Sequence, residues 1–204
     1  MSAQAIFTPD GNSESASHSI AAVSLRDDVV AIGPVLPDDI GNLFLWLNDA
    51  QAAQTDMAFR PVDCLGFNDW LNQNIRQAAQ VLFTIRLLRP ARAVGFLLFK
   101  NFNPSFRSAE IGMRIGEAQD RGRGYGGRAL ALARDYAWSS LNLRRLSLTA
   151  FTDNKQAIAA YGRAGFREEG VMQSAAFVGG QWHDVVMMAA LNPGEFKRSS
   201  DQGT

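Results

Sequence analysis

The chain has 204 residues, 47% hydrophobic and 20% charged, a balance that suits one globular domain with a sizeable core and excludes a disordered polymer. Lys plus Arg and Asp plus Glu stand at 20 each, so the formal net charge is zero and no overall field favours nucleic acid or an acidic membrane. A single cysteine, Cys64, excludes an internal disulfide and a cysteine zinc cluster, and the absence of a signal pattern or a membrane-length apolar run makes the cytoplasm the expected location.

Residues 1–24, rich in Ser and Ala without a period, are expected to be a disordered tail, 25–192 a single domain, and 193–204 a polar tail. A strand over 29–35 ends at Pro37, and Pro37-Asp38-Asp39 signals a helix over 40–48. A second helix is expected over 64–79, where Phe67, Trp70, Leu71 and Ile75 recur at helical spacing. The apolar runs 81–88 and 93–99 flank Arg89-Pro90-Ala91-Arg92 and read as a hairpin, with Gly95 marking a bulge or a close approach. In the next strand, 110–115, alternation puts Glu110, Gly112 and Arg114 on one face and Ile111, Met113 and Ile115 on the other. A helix over 128–141, a strand over 145–151 and a helix over 156–164 closed by Gly165 follow. The strands 167–178 and 181–191 then pair across Gly179-Gly180.

The run Arg121 to Gly127, RGRGYGG, places four glycines in seven residues between a strand and a helix. Glycine permits positive φ and close approach to the main chain. Amides exposed where a loop feeds a helix form an anion site, and Arg121 and Arg123 add forked donors suited to phosphate. An ordinary solvated turn is the plain alternative. A P-loop is excluded because no Lys followed by Ser or Thr closes the pattern. Gly122, Gly124 and Gly127 formally spell the dinucleotide fingerprint, but 116–120 separate the strand from the loop and too little chain follows for two nucleotide-binding halves.

Arg121 to Gly126 also fits R/Q-x-x-G-x-G/A, the pyrophosphate signature of the GNAT acetyltransferases. Asn154, Tyr161 seven residues later, and Gly165-Phe166 four beyond that resemble the second block of that family. The resemblance covers 26–191 and, through Trp46-Leu47-Asn48-Asp49, extends to the ribosomal-protein alanine acetyltransferase branch. That branch often carries an arginine after the second block, where this chain reads Glu169-Gly170-Val171-Met172-Gln173. The resemblance implies an α/β fold with a mixed, mainly antiparallel sheet of about seven strands flanked by helices. It implies acetyl-CoA as co-substrate, no metal, and transfer of the acetyl group to a primary amine by direct attack in a ternary complex. The amine could belong to a peptide N-terminus, a small amine or an amino sugar. Neither nucleic acid nor membrane is implied as a partner, and family habit leaves a homodimer open.

Cofactor contacts implied by the resemblance fall on Arg121, Gly122, Arg123, Gly124, Tyr125, Gly126, Gly127, Asn154, Arg163 and the main chain of Met113 and Ile115. Asn154 is equally a helix cap, and Arg163 equally a solvated helix arginine. Tyr161 matches the family's general acid, a phenol whose ordinary pKa of about 10 keeps it protonated at neutral pH, or else packs between helix and sheet. Glu110 is the candidate base, directly or through water, against a solvated strand-edge glutamate; His183 and Asp184 are the other groups placed to face an acceptor. Trp46, Phe59, Phe67 and Trp70 are either core or acceptor pocket. A reading from a different class keeps the loop as a non-catalytic acyl-CoA sensor, against which Tyr161 speaks.

Overall fold

The computed structural model describes residues 25–53, 60–76 and 80–195. The alternating apolar runs become β1 (Leu25–Arg26), β2 (Val30–Gly33), β3 (Val81–Leu88), β4 (Ala91–Asn103), β5 (Ser108–Ile115), β6 (Arg145–Phe151), β7 (Arg167–Val178) and β8 (Gln181–Leu191). They form one eight-stranded sheet in the order β1-β2-β3-β4-β5-β6-β8-β7. The short edge strand β1 adds one to the expected number. The helices are α1 (Ile40–Leu47), α2 (Ala50–Ala53), α3 (Cys64–Arg76), α4 (Tyr125–Ser139) and α5 (Lys155–Arg163). The expected tails at 1–24 and 196–204 lie outside the described residues, as does Phe59.

Period-two alternation sorts the sheet's side chains onto two covered faces. On one, Ile32, Ile85, Leu97, Phe99 and Ile111 pack with Ala129, Leu130, Ala133 and Ala137, the apolar stripe of α4. On the other, Leu82 and Phe96 pack under Leu43 and Trp46 of α1 and Phe67 of α3. Trp46 and Phe67 are each 4% exposed, and Trp70 stacks on Phe67 with ring centroids 6.0 Å apart, so these three aromatics are core. Burying a side chain such as Phe99, at zero exposure, contributes roughly 1.5–3 kcal/mol. A buried polar group holds the start of α1 to the sheet. Asp39 takes hydrogen bonds from Arg86, from Thr84 Oγ1 at 3.0 Å and from the Leu36 amide at 2.7 Å. Cys64 is exposed.

Two local departures from expectation bear on function. Helix α4 begins at Tyr125 rather than 128, because Gly124 at φ +83° turns the chain and Gly126 and Gly127 enter the first helical turn. A Cβ at 126 would stand 2.9 Å from Met113 Cε, so helix α4 approaches β5 closely there and glycine's low helix propensity is overridden. In β4, Ile85 pairs with Gly95 and Arg86 with Ala93, leaving Val94 as a bulge. The freed Val94 carbonyl accepts the Gly116 amide at 2.9 Å, and a Cβ at 95 would lie 2.2 Å from the Arg114 carbonyl oxygen.

Candidate active site

The site starts from a ladder that stops early. Strands β5 and β6 run parallel and pair only at Ser108 with Arg145, Ala109 with Leu146 and Glu110 with Ser147. Beyond Glu110, β5 continues to Ile115 and β6 to Phe151, and the two part. The carbonyls of Arg107 and Ala109 accept from the Arg144 amide (2.7 Å) and Ser147 Oγ (3.3 Å), so the odd-numbered residues address β6. Gly116, of the other parity, donates to β4. Main-chain groups alternate between neighbouring strands, so Met113 and Ile115 aim theirs into the gap.

The glycine run closes one end of that gap. Gly122 and Gly124 have φ of +76° and +83°, and the amides of the first turn of α4 face outward at the positive end of the helix dipole. Beneath them Asp120, 1% exposed, receives both guanidinium arms of Arg92 at 2.6 and 2.7 Å. Those bonds hold its carboxyl below the ordinary range. The Arg121 guanidinium turns away from the loop mouth: it donates to the Ile115 carbonyl at 3.2 Å, to the Gly116 carbonyl, and to Asp49 at 3.1 Å. Arg123 is exposed and Tyr125 packs against the core, and neither lines the cleft.

A cleft of about 700 Å³ extends from the loop along the gap. Its walls include Met113, Ile115, Arg121, Gly122, Gly124, Gly126, Gly127, Asn154, Tyr161 and Arg163, so most of the predicted site residues meet in one place. Asn154 caps α5, its Oδ1 accepting the Ala157 amide at 3.1 Å, while lining the same cleft. Glu110 stands apart. Its carboxylate pairs with Lys100 Nζ at 2.9 Å, accepts from Asn101 Nδ2 at 2.9 Å, and does not line the cleft. His183 faces Asp153 at 3.3 Å and stacks on Phe151, and Asp184 accepts the Ser174 amide at 2.7 Å across a bulge in β7. Among the described residues no group of three or more His, Cys, Asp or Glu is placed to hold a metal ion.

Sequence reasoning missed several cleft residues. Ala157 and Ala160 follow Asn154 on the face of α5 that carries Tyr161, and small residues at that spacing were the available signal. Thr149 and the β7 residues Met172, Ala175 and Ala176 also line the cleft, but they reach it through the strand parting and the bulge, which leave no local pattern.

An extended phosphate-bearing thioester fits this arrangement: helix amides at one end, strand main chain that β6 leaves unpaired along the gap, and a phenol in the wall. The Acetyltransferase (GNAT) domain model matches residues 30–167. The chain therefore belongs to the GNAT acetyltransferases, and it is an N-acetyltransferase that uses acetyl-CoA as co-substrate. It is similar to spermidine N(1)-acetyltransferase of Vibrio cholerae, 28% identical over 128 residues, 63% of this chain and 73% of that one. The putative ribosomal N-acetyltransferase YdaF of Bacillus subtilis is 31% identical over 105 residues, 52% of this chain and 57% of the relative. The crystal structure of the Vibrio cholerae spermidine N-acetyltransferase in complex with CoA and spermine has a TM-score of 0.73 at 23% identity. That match covers 81% of this chain and 96% of the other, and shows the shared fold.

Proposed function

We propose that the gap between β5 and β6 holds acetyl-CoA with its pyrophosphate on the amides of Gly122 to Gly127, and that Tyr161 donates the proton to the departing thiolate. The observation that carries this reading is that β5 and β6 stop pairing at Glu110 and leave a cleft that runs to the glycine loop, with Tyr161 in its wall. Bound acetyl-CoA supplies an activated acyl group. The chain's own contribution is positional: Met113 and Ile115 offer main-chain groups to the cofactor arm, and Asn154 fixes the turn that presents α5. Arg163, exposed at the edge of the cleft, supplies a cation toward the nucleotide end.

For the amine proton, Glu110 acts through water. It sits at the last paired position before the strands part, and its contacts with Lys100 and Asn101 close the direct route. Glu110→Gln lowers kcat without changing acetyl-CoA affinity on this reading, and an unchanged rate at saturating amine removes Glu110 from the reaction. The acceptor is a primary amine of low positive charge, such as a peptide N-terminus or a small monoamine. The charged side chains lining the described cleft are Arg114, Arg121 and Arg163, and no carboxylate lines it to balance a polyamine.

Titration with acetyl-CoA, CoA, NAD and ATP, followed by turnover of an alanine-initiated peptide and of spermidine, tests the whole. Binding of both CoA species and a higher kcat/KM for the peptide are expected. Binding of NAD alone overturns the cofactor assignment, and a preference for spermidine overturns the acceptor assignment.

A further inference from the structure

The end of helix α1 is tied to the phosphate loop by contacts that the catalytic reading does not use. Trp46 Nε1 donates to Glu117 Oε1 at 3.1 Å, and the Trp46 carbonyl accepts Arg114 Nη1 at 2.8 Å. The indole lies directly over Gly116, where a Cβ would stand 2.1 Å from the ring. Three residues beyond Trp46, Asp49 Oδ2 accepts Arg121 Nη2 at 3.1 Å, while Asp49 Oδ1 accepts the amides of Gln51 (2.9 Å) and Ala52 (3.1 Å). Ala52 in turn lines the cleft. One carboxylate thus joins an arginine of the glycine run to the first turn of α2. The Ala52 amide, followed by Arg121, holds the Asp49 carboxyl below its ordinary range, so the link is charged at neutral pH.

We propose that Asp49 is a positioning residue that couples the phosphate loop to the α2 margin of the cleft: occupation of the loop orders the main chain that carries Arg121, Arg121 fixes Asp49, and Asp49 orders α2. The inference rests on the proposed cofactor site. It makes order at that margin a consequence of cofactor binding, carried by an ion pair whose side chains are 35% and 34% exposed. A pair that open to solvent sets a coupling of about two- to fivefold.

Amide hydrogen exchange with free CoA tests this without any knowledge of the acceptor. In the wild type, CoA is expected to slow exchange at 122–127 and, by about two- to fivefold, at Gln51 and Ala52. In Asp49→Asn, which keeps an oxygen for those amides but loses the charge, slowing at 122–127 persists and the CoA-dependent change at Gln51 and Ala52 disappears. In Asp49→Glu it returns at least in part. Loop protection without any change at Gln51 and Ala52 in the wild type overturns the coupling. An equal change in wild type and Asp49→Asn overturns the role of Asp49. Absence of protection at 122–127 is a different result and sinks the cofactor site itself.

Discussion

The two walls of the cleft are made of different material. The wall proposed for the cofactor is mostly main chain: the part of β5 at Met113 and Ile115 that β6 does not pair, glycines at positive φ, and the first amides of α4. The side toward α1 is backed by side chains reaching across long stretches of sequence, with Trp46 on Glu117, Arg114 on the Trp46 carbonyl and Arg121 on Asp49. Main-chain sites tolerate new side chains wherever no Cβ collides, whereas side-chain walls change character with each substitution. A constant co-substrate and a variable acceptor therefore call for the first and second kinds of wall respectively.

The comparison is most exposed at Tyr161, the one side chain on which the backbone-built wall depends for chemistry. Tyr161→Phe is expected to lower kcat at least about a hundredfold with acetyl-CoA affinity unchanged, since a positioned general acid contributes typically 10²–10⁴-fold. Steady-state rates with a calorimetric Kd decide it, and a Kd that rises in step with the loss of rate assigns the phenol to binding instead.

Next in size is Asp120, buried under the loop. Asp120→Asn leaves Arg92 without its bidentate partner and should cost about 2 kcal/mol, less than the 3–5 of a wholly buried pair because Arg92 is 39% exposed. Urea unfolding measures it. The folded-state pKa of Asp120 lies below 3.8, so its stabilisation is present above the unfolded value and is lost as pH falls through the folded one. The Asn variant loses that acid-side dependence.

Gly124→Ala probes the main chain directly. An L-residue at φ +83° costs roughly 1–2 kcal/mol; the empty loop relieves that strain by leaving this conformation, binding restores it, and the acetyl-CoA Kd weakens by up to about tenfold, with Gly124→Asn recovering part of it. The smallest effect belongs to Arg123→Ala. If the loop binds through amides, removing this exposed cation weakens acetyl-CoA about two- to threefold at low salt and scarcely at all at high salt. A larger, salt-resistant loss would make the loop a side-chain site after all.

The same division explains what could be read from the sequence. Glycine spacing announces a main-chain site because only backbone conformation selects for it, and Asn154 and Gly165, now a cap and a residue at φ +92°, mark the ends of α5 for the same reason. Strand alternation placed Met113 and Ile115 on one face, and the helical stripe of α4 was legible although its first turn was not. The fate of Arg121 was illegible. Its forked donors suggested phosphate, yet they are taken by Ile115, Gly116 and an aspartate 72 positions away, and no local pattern encodes so distant a partner. Trp46 likewise could be pocket or core until Gly116 was found beneath its ring.

The parting of β5 and β6 also makes a pair of sheet edges that face inward. Unpaired edges attract any extended chain that can reach them, and in the proposed site a cofactor arm bearing its own amides would be a stand-in for a missing strand. Cofactor-free protein therefore offers an open slot to extended segments of its neighbours, and a preparation kept in CoA throughout purification should aggregate less than one stripped of it.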